Sequence, residues 1–220
     1  MAGPNSTKTT FTSFFFIVIK YITQNVTQGK YLMTMTTCIN MYGGPGSGKS
    51  TLAAMLFNEL KVRGIRCEMA REYVKNWAYE KRQIIDYDQI YIMAKQVQEE
   101  FRLIKAGVKI VVTDSPVVLS AVYGRIYFPK KPHMVRGIDE IVGGFIKERS
   151  NINIVLKRKG SYDRHGRYES LRTAKRIDKE IMIQVKRFHG QDFREFHRNE
   201  VSDMLSYVMS SLEPKLIRRR

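Results

Sequence analysis

Cysteine is scarce in this chain. The two, Cys38 and Cys67, are too few for a disulfide framework, and no CxxC spacing suggests a thiolate zinc site. So little cysteine suits a reducing compartment, and a cytoplasmic protein is the expectation. Long apolar runs are missing as well. No uninterrupted stretch reaches the ~18 residues of a membrane-spanning helix, which argues against an integral membrane protein. Acidic residues are outnumbered: 21 Asp+Glu face 38 Lys+Arg, a net charge of +17. That balance favours phosphate-bearing partners such as nucleotides, nucleic acid or an anionic membrane surface, although a solvated basic face is the plainer reading. The 43% hydrophobic content supports a folded core and excludes a disordered chain. At 220 residues, one domain with a small insertion or tail is expected.

Residues 1–34 contain Lys8, Lys20 and Lys30 and no acid. The apolar run Phe14 to Ile19 is short and ends at Lys20 and Tyr21, a poor match to a secretory leader. Met33 and Met35 stand just before the first strand-like segment, so 1–34 reads as disordered or as a start-site extension, with an interfacial helix as the alternative. The working domain is then 35–213, followed by a basic tail over 214–220.

The strongest motif is Gly43-Gly44-Pro45-Gly46-Ser47-Gly48-Lys49-Ser50, followed by Thr51, which fits G-x-x-x-x-G-K-[ST]. Glycines let the backbone wrap closely and turn N–H groups toward phosphate oxygens. Lys49 can reach the terminal phosphates, and the Ser50 hydroxyl can ligate Mg²⁺. An apolar strand over 37–42 precedes the loop and a helix-patterned segment over 51–60 follows it. Strand, loop and helix N-terminus together make an anion site.

Lys109 to Thr113 reads as a second buried strand, ending at Asp114-Ser115-Pro116. Ligands of open α/β sheets collect at strand carboxyl ends, so Asp114 is the candidate second Mg²⁺ contact. The competing reading is a helix cap, with Ser115 before Pro116. A short strand over 65–69 carries Glu68, which could take a proton from a substrate hydroxyl; Glu72 is the competing base. Arg71 and Tyr73 follow as substrate contacts; Trp77, the only tryptophan, could stack on a base, with core packing the plainer reading. A long helix opens near Asp86 and ends near Lys105, with an apolar stripe at 90, 93, 94, 97, 101 and 104. Asp88, Gln89 and Gln96 on it could contact a base or sugar.

The last third is basic: residues 147–220 hold 19 Lys+Arg and 10 Asp+Glu, hence +9. A strand over 151–156 leads into a Gly-containing loop with Arg158, Arg164 and Arg167. This segment, about 157–169, suits a lid whose guanidiniums neutralise a transferring phosphoryl group; a solvated loop is the alternative. A helix over 171–188 places Arg172, Lys175, Arg176 and Lys179 on one face, so 157–179 could bind nucleic acid. A short strand over 192–196 and a helix over 200–212 complete the chain.

The pattern resembles the P-loop nucleoside and nucleotide kinases. More narrowly, it is similar to small phage-encoded AAA-domain ATP-binding proteins related to the nicotinamide-riboside kinase group. GGPGSGKSTL, EMAREYVKNW, DYDQIYIMAKQ, VVTDSPVVLS and KRKGSYDRHGR carry the resemblance over about 36–190. It implies an α/β three-layer sandwich with a parallel five-stranded sheet in the order 2-3-1-4-5. It also implies an Arg-bearing lid, ATP·Mg²⁺ as donor, and an acidic base near strand two, where Glu68 matches best. No arginine finger or sensor element of a ring-forming ATPase is evident.

The leading expectation is an ATP-dependent phosphotransferase acting on a nucleoside or nucleotide. A kinase acting on hydroxymethylated pyrimidines in phage DNA is the second, favoured by the charge. A nucleotide-dependent switch acting on a partner is the third. A homodimer is one arrangement the sequence permits.

Overall fold

The structure, a computed structural model, describes residues 36–159, 162 and 168–217. The expectations for 1–34, for Arg164 and Arg167, and for the last three tail residues lie outside the described residues.

Five strands form the centre: β1 (Thr37–Tyr42), β2 (Cys67–Ala70), β3 (Ile110–Thr113), β4 (Ser150–Lys157) and β5 (Arg194–His197). All neighbours pair parallel, in the order β2-β3-β1-β4-β5. The central strands read as continuous apolar runs because a parallel sheet is covered on both faces. Among the described residues seven helices do the covering: α1 (Lys49–Val62), α2 (Lys75–Tyr79), α3 (Asp88–Lys105), α4 (Val118–Tyr127), α5 (Pro132–Lys147), α6 (Leu171–His189) and α7 (Val201–Ile217).

Alternation along β1 divides the core into two halves. Ile39 and Met41 face Leu52, Leu56 and Leu60 of α1 and Met204, Val208 and Leu212 of α7. Cys38 and Tyr42 face the other half, built from Met93 and Ile104 of α3, Val122 of α4, Val142 of α5 and Ile177 of α6. The result is a three-layer sandwich. The chain leaves β1 toward β2 and β3 on one side and returns to β4 and β5 on the other. The crevice at the carboxyl end of β1 is therefore the topological switch point, where such sheets bind ligands.

Buried polar groups cross the sheet. Asn40 Nδ2 donates to Asn151 Oδ1 and Asn153 Oδ1 at 3.1 and 2.9 Å, and Asn153 donates to the Asp192 carbonyl at 2.8 Å. Arg149 and Glu100, with side chains 1% and 0% exposed, form an ion pair at 2.5 Å.

Three elements depart from the sequence expectation. The buried side of α3 is Gln89, Ile92, Met93, Gln96, Glu100 and Ile104, whereas Ile90, Ala94 and Phe101 are exposed. The expected stripe is thus turned, because part of the inward face carries polar side chains with buried work to do. Helices α4 and α5 fill a stretch for which the sequence offers only a helix start at Pro116: seven of the ten residues of α4 are buried, so its polar side is narrow. Helix α7 runs to Ile217, past the expected end near 212, and fully buried Leu212 holds it to the core.

Candidate active site

The loop after β1 turns at Gly44, whose carbonyl accepts the Ser47 N–H at 3.1 Å. Gly48 stands at φ +101°, a conformation open to glycine, and delivers the chain into α1. The unpaired N–H groups of the first turn of α1 therefore face the loop. A Cβ on Gly44 would collide with Asp178 Oδ1. That oxygen accepts the Gly44 N–H at 2.9 Å. Ser47 is buried and its Oγ has no hydrogen-bond partner among the described residues.

Beside this loop lies a cavity of about 260 Å³. Pro45, Gly46, Gly48, Lys49, Ser50 and Thr51 are on its wall. So are Glu72, Tyr73, Gln89, Gln96, Ser115, Tyr123, Tyr127 and Glu169. Tyr123 and Tyr127, one helical turn apart on α4, stack with ring centroids 6.0 Å apart and planes 8° from parallel. Tyr127 Oη donates to Glu169 Oε1 at 2.7 Å. Burial and the nearby Glu169 carboxylate push the Tyr127 phenol well above its ordinary range. It therefore stays a neutral donor.

Asp114 follows β3 directly, is 4% exposed, and its Oδ1 has no hydrogen-bond partner among the described residues. A buried carboxylate oxygen without a donor is what a cation site requires. The capping alternative does not describe this turn: α4 is capped at Val117, with no side-chain bond.

Glu68 does not line the cavity. It lies mid-strand in β2, half exposed, and its Oε1 accepts from Lys61 Nζ at 2.9 Å. The expected strand end at 69 falls short: β2 runs to Ala70, so the carboxyl end is reached by Glu72, which does line the cavity. Burial raises the Glu72 carboxyl above its ordinary value; Lys49 opposes this and Asp114 adds to it. Arg71 is exposed and outside the cavity wall. Asp88 is also outside it. Its Oδ2 accepts the Ile85 N–H at 3.1 Å and its Oδ1 lies 3.7 Å from Arg82, so it stabilises the start of α3. Tyr73 and Gln96 are on the wall. The Tyr73 N–H donates to Gln96 Oε1 at 3.4 Å, and Gln96 Nε2, buried, has no partner among the described residues.

Arg158, at the end of β4, pairs with Asp178 of α6 at 2.8 Å beside the Gly-rich loop. Sequence reasoning missed Asp178, Glu169 and the Tyr123–Tyr127 wall. The signals were slight: a lone acid among the cations of 172–179, and two tyrosines at i, i+4.

The sheet order, the Gly-rich loop and the flanking cavity define a P-loop protein with the fold of nucleoside and nucleotide kinases. Residues 38–203 match the family described as AAA domain, and the chain belongs to that family. Among solved structures it is similar to NadR protein in complex with NR, at 18% identity and a TM-score of 0.64, over 82% of this chain and 52% of that one. NadR in complex with NAD and AMP-PNP aligns at 14% identity and TM-score 0.61, over 82% and 50%. Thymidylate kinase from Ehrlichia chaffeensis aligns at 14% and 0.57, over 81% of this chain and 100% of that one. The chain thus spans about half the length of the NadR proteins. No curated protein matches it. Among the described residues no helix is long and apolar enough to cross a membrane.

Proposed function

We propose that the chain is an ATP-dependent, Mg²⁺-requiring kinase that phosphorylates a hydroxyl of a nucleoside or nucleotide. One observation carries this reading: a single cavity is lined both by Lys49 and Ser50 of the phosphate loop and by Glu72, Tyr123 and Tyr127. The loop backbone and Lys49 hold the donor phosphates, and the tyrosine pair seats a planar ring. The acceptor oxygen forms a bond to the terminal phosphorus, the bond from that phosphorus to the bridging oxygen breaks, and ADP departs. The proton of the acceptor hydroxyl goes to the Glu72 carboxylate. Glu72 takes the role expected of Glu68, because proton transfer needs hydrogen-bond reach to the acceptor.

Ser50 and Asp114 would hold Mg²⁺, and the orphaned Asp114 oxygen fits that task. Among the described residues no group of three or more His, Cys, Asp or Glu could hold a metal. The ion's remaining ligands would thus be phosphate oxygens and water, as is usual for Mg²⁺. When bound, it supplies charge neutralisation at the phosphates.

The test is γ-labelled ATP with Mg²⁺ and a panel of nucleosides, nucleoside monophosphates, and plain and hydroxymethylated DNA. Label on one small acceptor, lost in Lys49→Ala with the fold intact, is expected. Label on DNA alone would favour the nucleic-acid reading, for which the exposed Arg172, Lys175, Arg176 and Lys179 of α6 speak. Free phosphate alone would replace the kinase by a switch.

A further inference from the structure

Asp178 is an acid within the basic run of α6, and both of its carboxylate oxygens are engaged at the phosphate loop. Oδ1 accepts the Gly44 N–H at 2.9 Å and Arg158 Nη2 at 3.2 Å; Oδ2 accepts Arg158 Nε at 2.8 Å. The fork leaves one guanidinium nitrogen over. Arg158 Nη1 is buried and has no partner among the described residues. It lies within 3.4 Å of the position a Cβ on Gly46 would take, at the crest of the loop. The Tyr162 ring lies 2.8 Å from that same position, and the Arg158 guanidinium sits 5.4 Å from its centroid. The donor nitrogen therefore sits against the crest of the loop, beside the Tyr162 ring, while Arg158 itself lines a neighbouring depression with Lys175 and Lys179.

We propose that Asp178 is a positioning residue that aims Arg158 Nη1 at the terminal phosphate of the bound donor while anchoring the second residue of the loop. This rests on the reading of the loop as a nucleotide site. A bidentate carboxylate fixes both the plane and the direction of a guanidinium, which an isolated arginine side chain cannot do for itself. Preorganised charge at the transferring group needs no rearrangement at the moment of reaction. Tying the same carboxylate to Gly44 makes the position of Arg158 depend on the position of the loop.

Asp178→Asn keeps the shape and an oxygen for Gly44 N–H but removes the charge that orients the guanidinium. Binding of AMP-PNP and of ADP is measured by calorimetry with Mg²⁺ on the full chain, without any acceptor. Asp178→Asn should weaken AMP-PNP about tenfold relative to ADP with the melting temperature unchanged. Arg158→Gln should lose the same preference, and the double variant should lose no more than either single one. Equal weakening of both nucleotides would reduce Asp178 to a structural tie. Additive losses in the double variant would separate it from Arg158. Either result overturns the proposal while leaving the nucleotide site standing. Failure of the unsubstituted chain to bind either nucleotide would remove the reading on which the proposal rests.

Discussion

Glu72 and Glu68 stand four residues apart and differ in everything that matters chemically. Glu68 is paired and half exposed, and its replacement by Gln should leave turnover within about twofold, since surface pairs contribute ~1 kcal/mol or less. Glu72→Gln should lower kcat by about 10²–10⁴, the usual contribution of a positioned base. The linkage sign follows from the raised carboxyl of Glu72. The folded state holds this proton more tightly than the unfolded one, so stability falls as pH rises from the ordinary carboxylate range to the raised value. Activity through the same group moves the other way, appearing as pH rises past that value. Glu72→Gln should therefore raise the melting temperature at neutral pH while it removes turnover, measured by thermal unfolding and the labelled-phosphate assay together.

At the scale of elements, two buried pairs tie the strands to the helices around them. Arg149 at the start of β4 meets Glu100 of α3 at 2.5 Å with both side chains sealed from solvent. Glu100→Ala would leave a buried guanidinium unpaired and should cost about 3–5 kcal/mol in urea unfolding. Tyr42 at the end of β1 hydrogen-bonds His189 of α6 at 2.9 Å. Burial lowers His189 to about 4, against an ordinary value of 6.5. The unfolded chain binds this proton first as pH falls, so the contribution is complete above about 6.5 and is lost progressively toward 4. An acid-side stability loss of up to about 3 kcal/mol should appear over that window and flatten in His189→Gln.

The same scale shows where sequence reasoning reaches its limit. The strand–loop–helix of 37–62 is legible because each local signal agrees with its neighbours: an apolar run, glycines, then helical spacing. The inward face of α3 is not legible, because Gln89, Gln96 and Glu100 are polar residues buried for tertiary reasons that no periodicity records. Helix α4 escapes for the opposite reason: with seven of its ten residues buried, its polar side is too narrow to betray its period.

For the whole molecule, the charge of +17 includes a basic face on α6, where Arg172, Lys175, Arg176 and Lys179 are exposed to solvent. Lys157 and Arg158 are less available, being paired with Glu195 and Asp178. Weak, sequence-independent oligonucleotide binding is expected at 50 mM salt and should vanish near 200 mM, the behaviour of phosphate neutralisation without base contacts. Lys175→Glu with Arg176→Glu should abolish it in an anisotropy titration and leave small-acceptor turnover unchanged.

By itself the sequence determined the phosphate loop, the central strands and the acid that ends β3. Those features follow from residue types at fixed short spacings, where local chemistry and backbone freedom decide the outcome. Only the tertiary structure decided that Glu72 and not Glu68 reaches the cavity, since a strand that ends one residue later moves the carboxyl end of the sheet. It alone brought Glu169 to Tyr127 and Asp178 to Gly44, pairs separated by 42 and 134 residues. Contacts at such range are made by how helices pack across a parallel sheet, and no spacing along the chain encodes them.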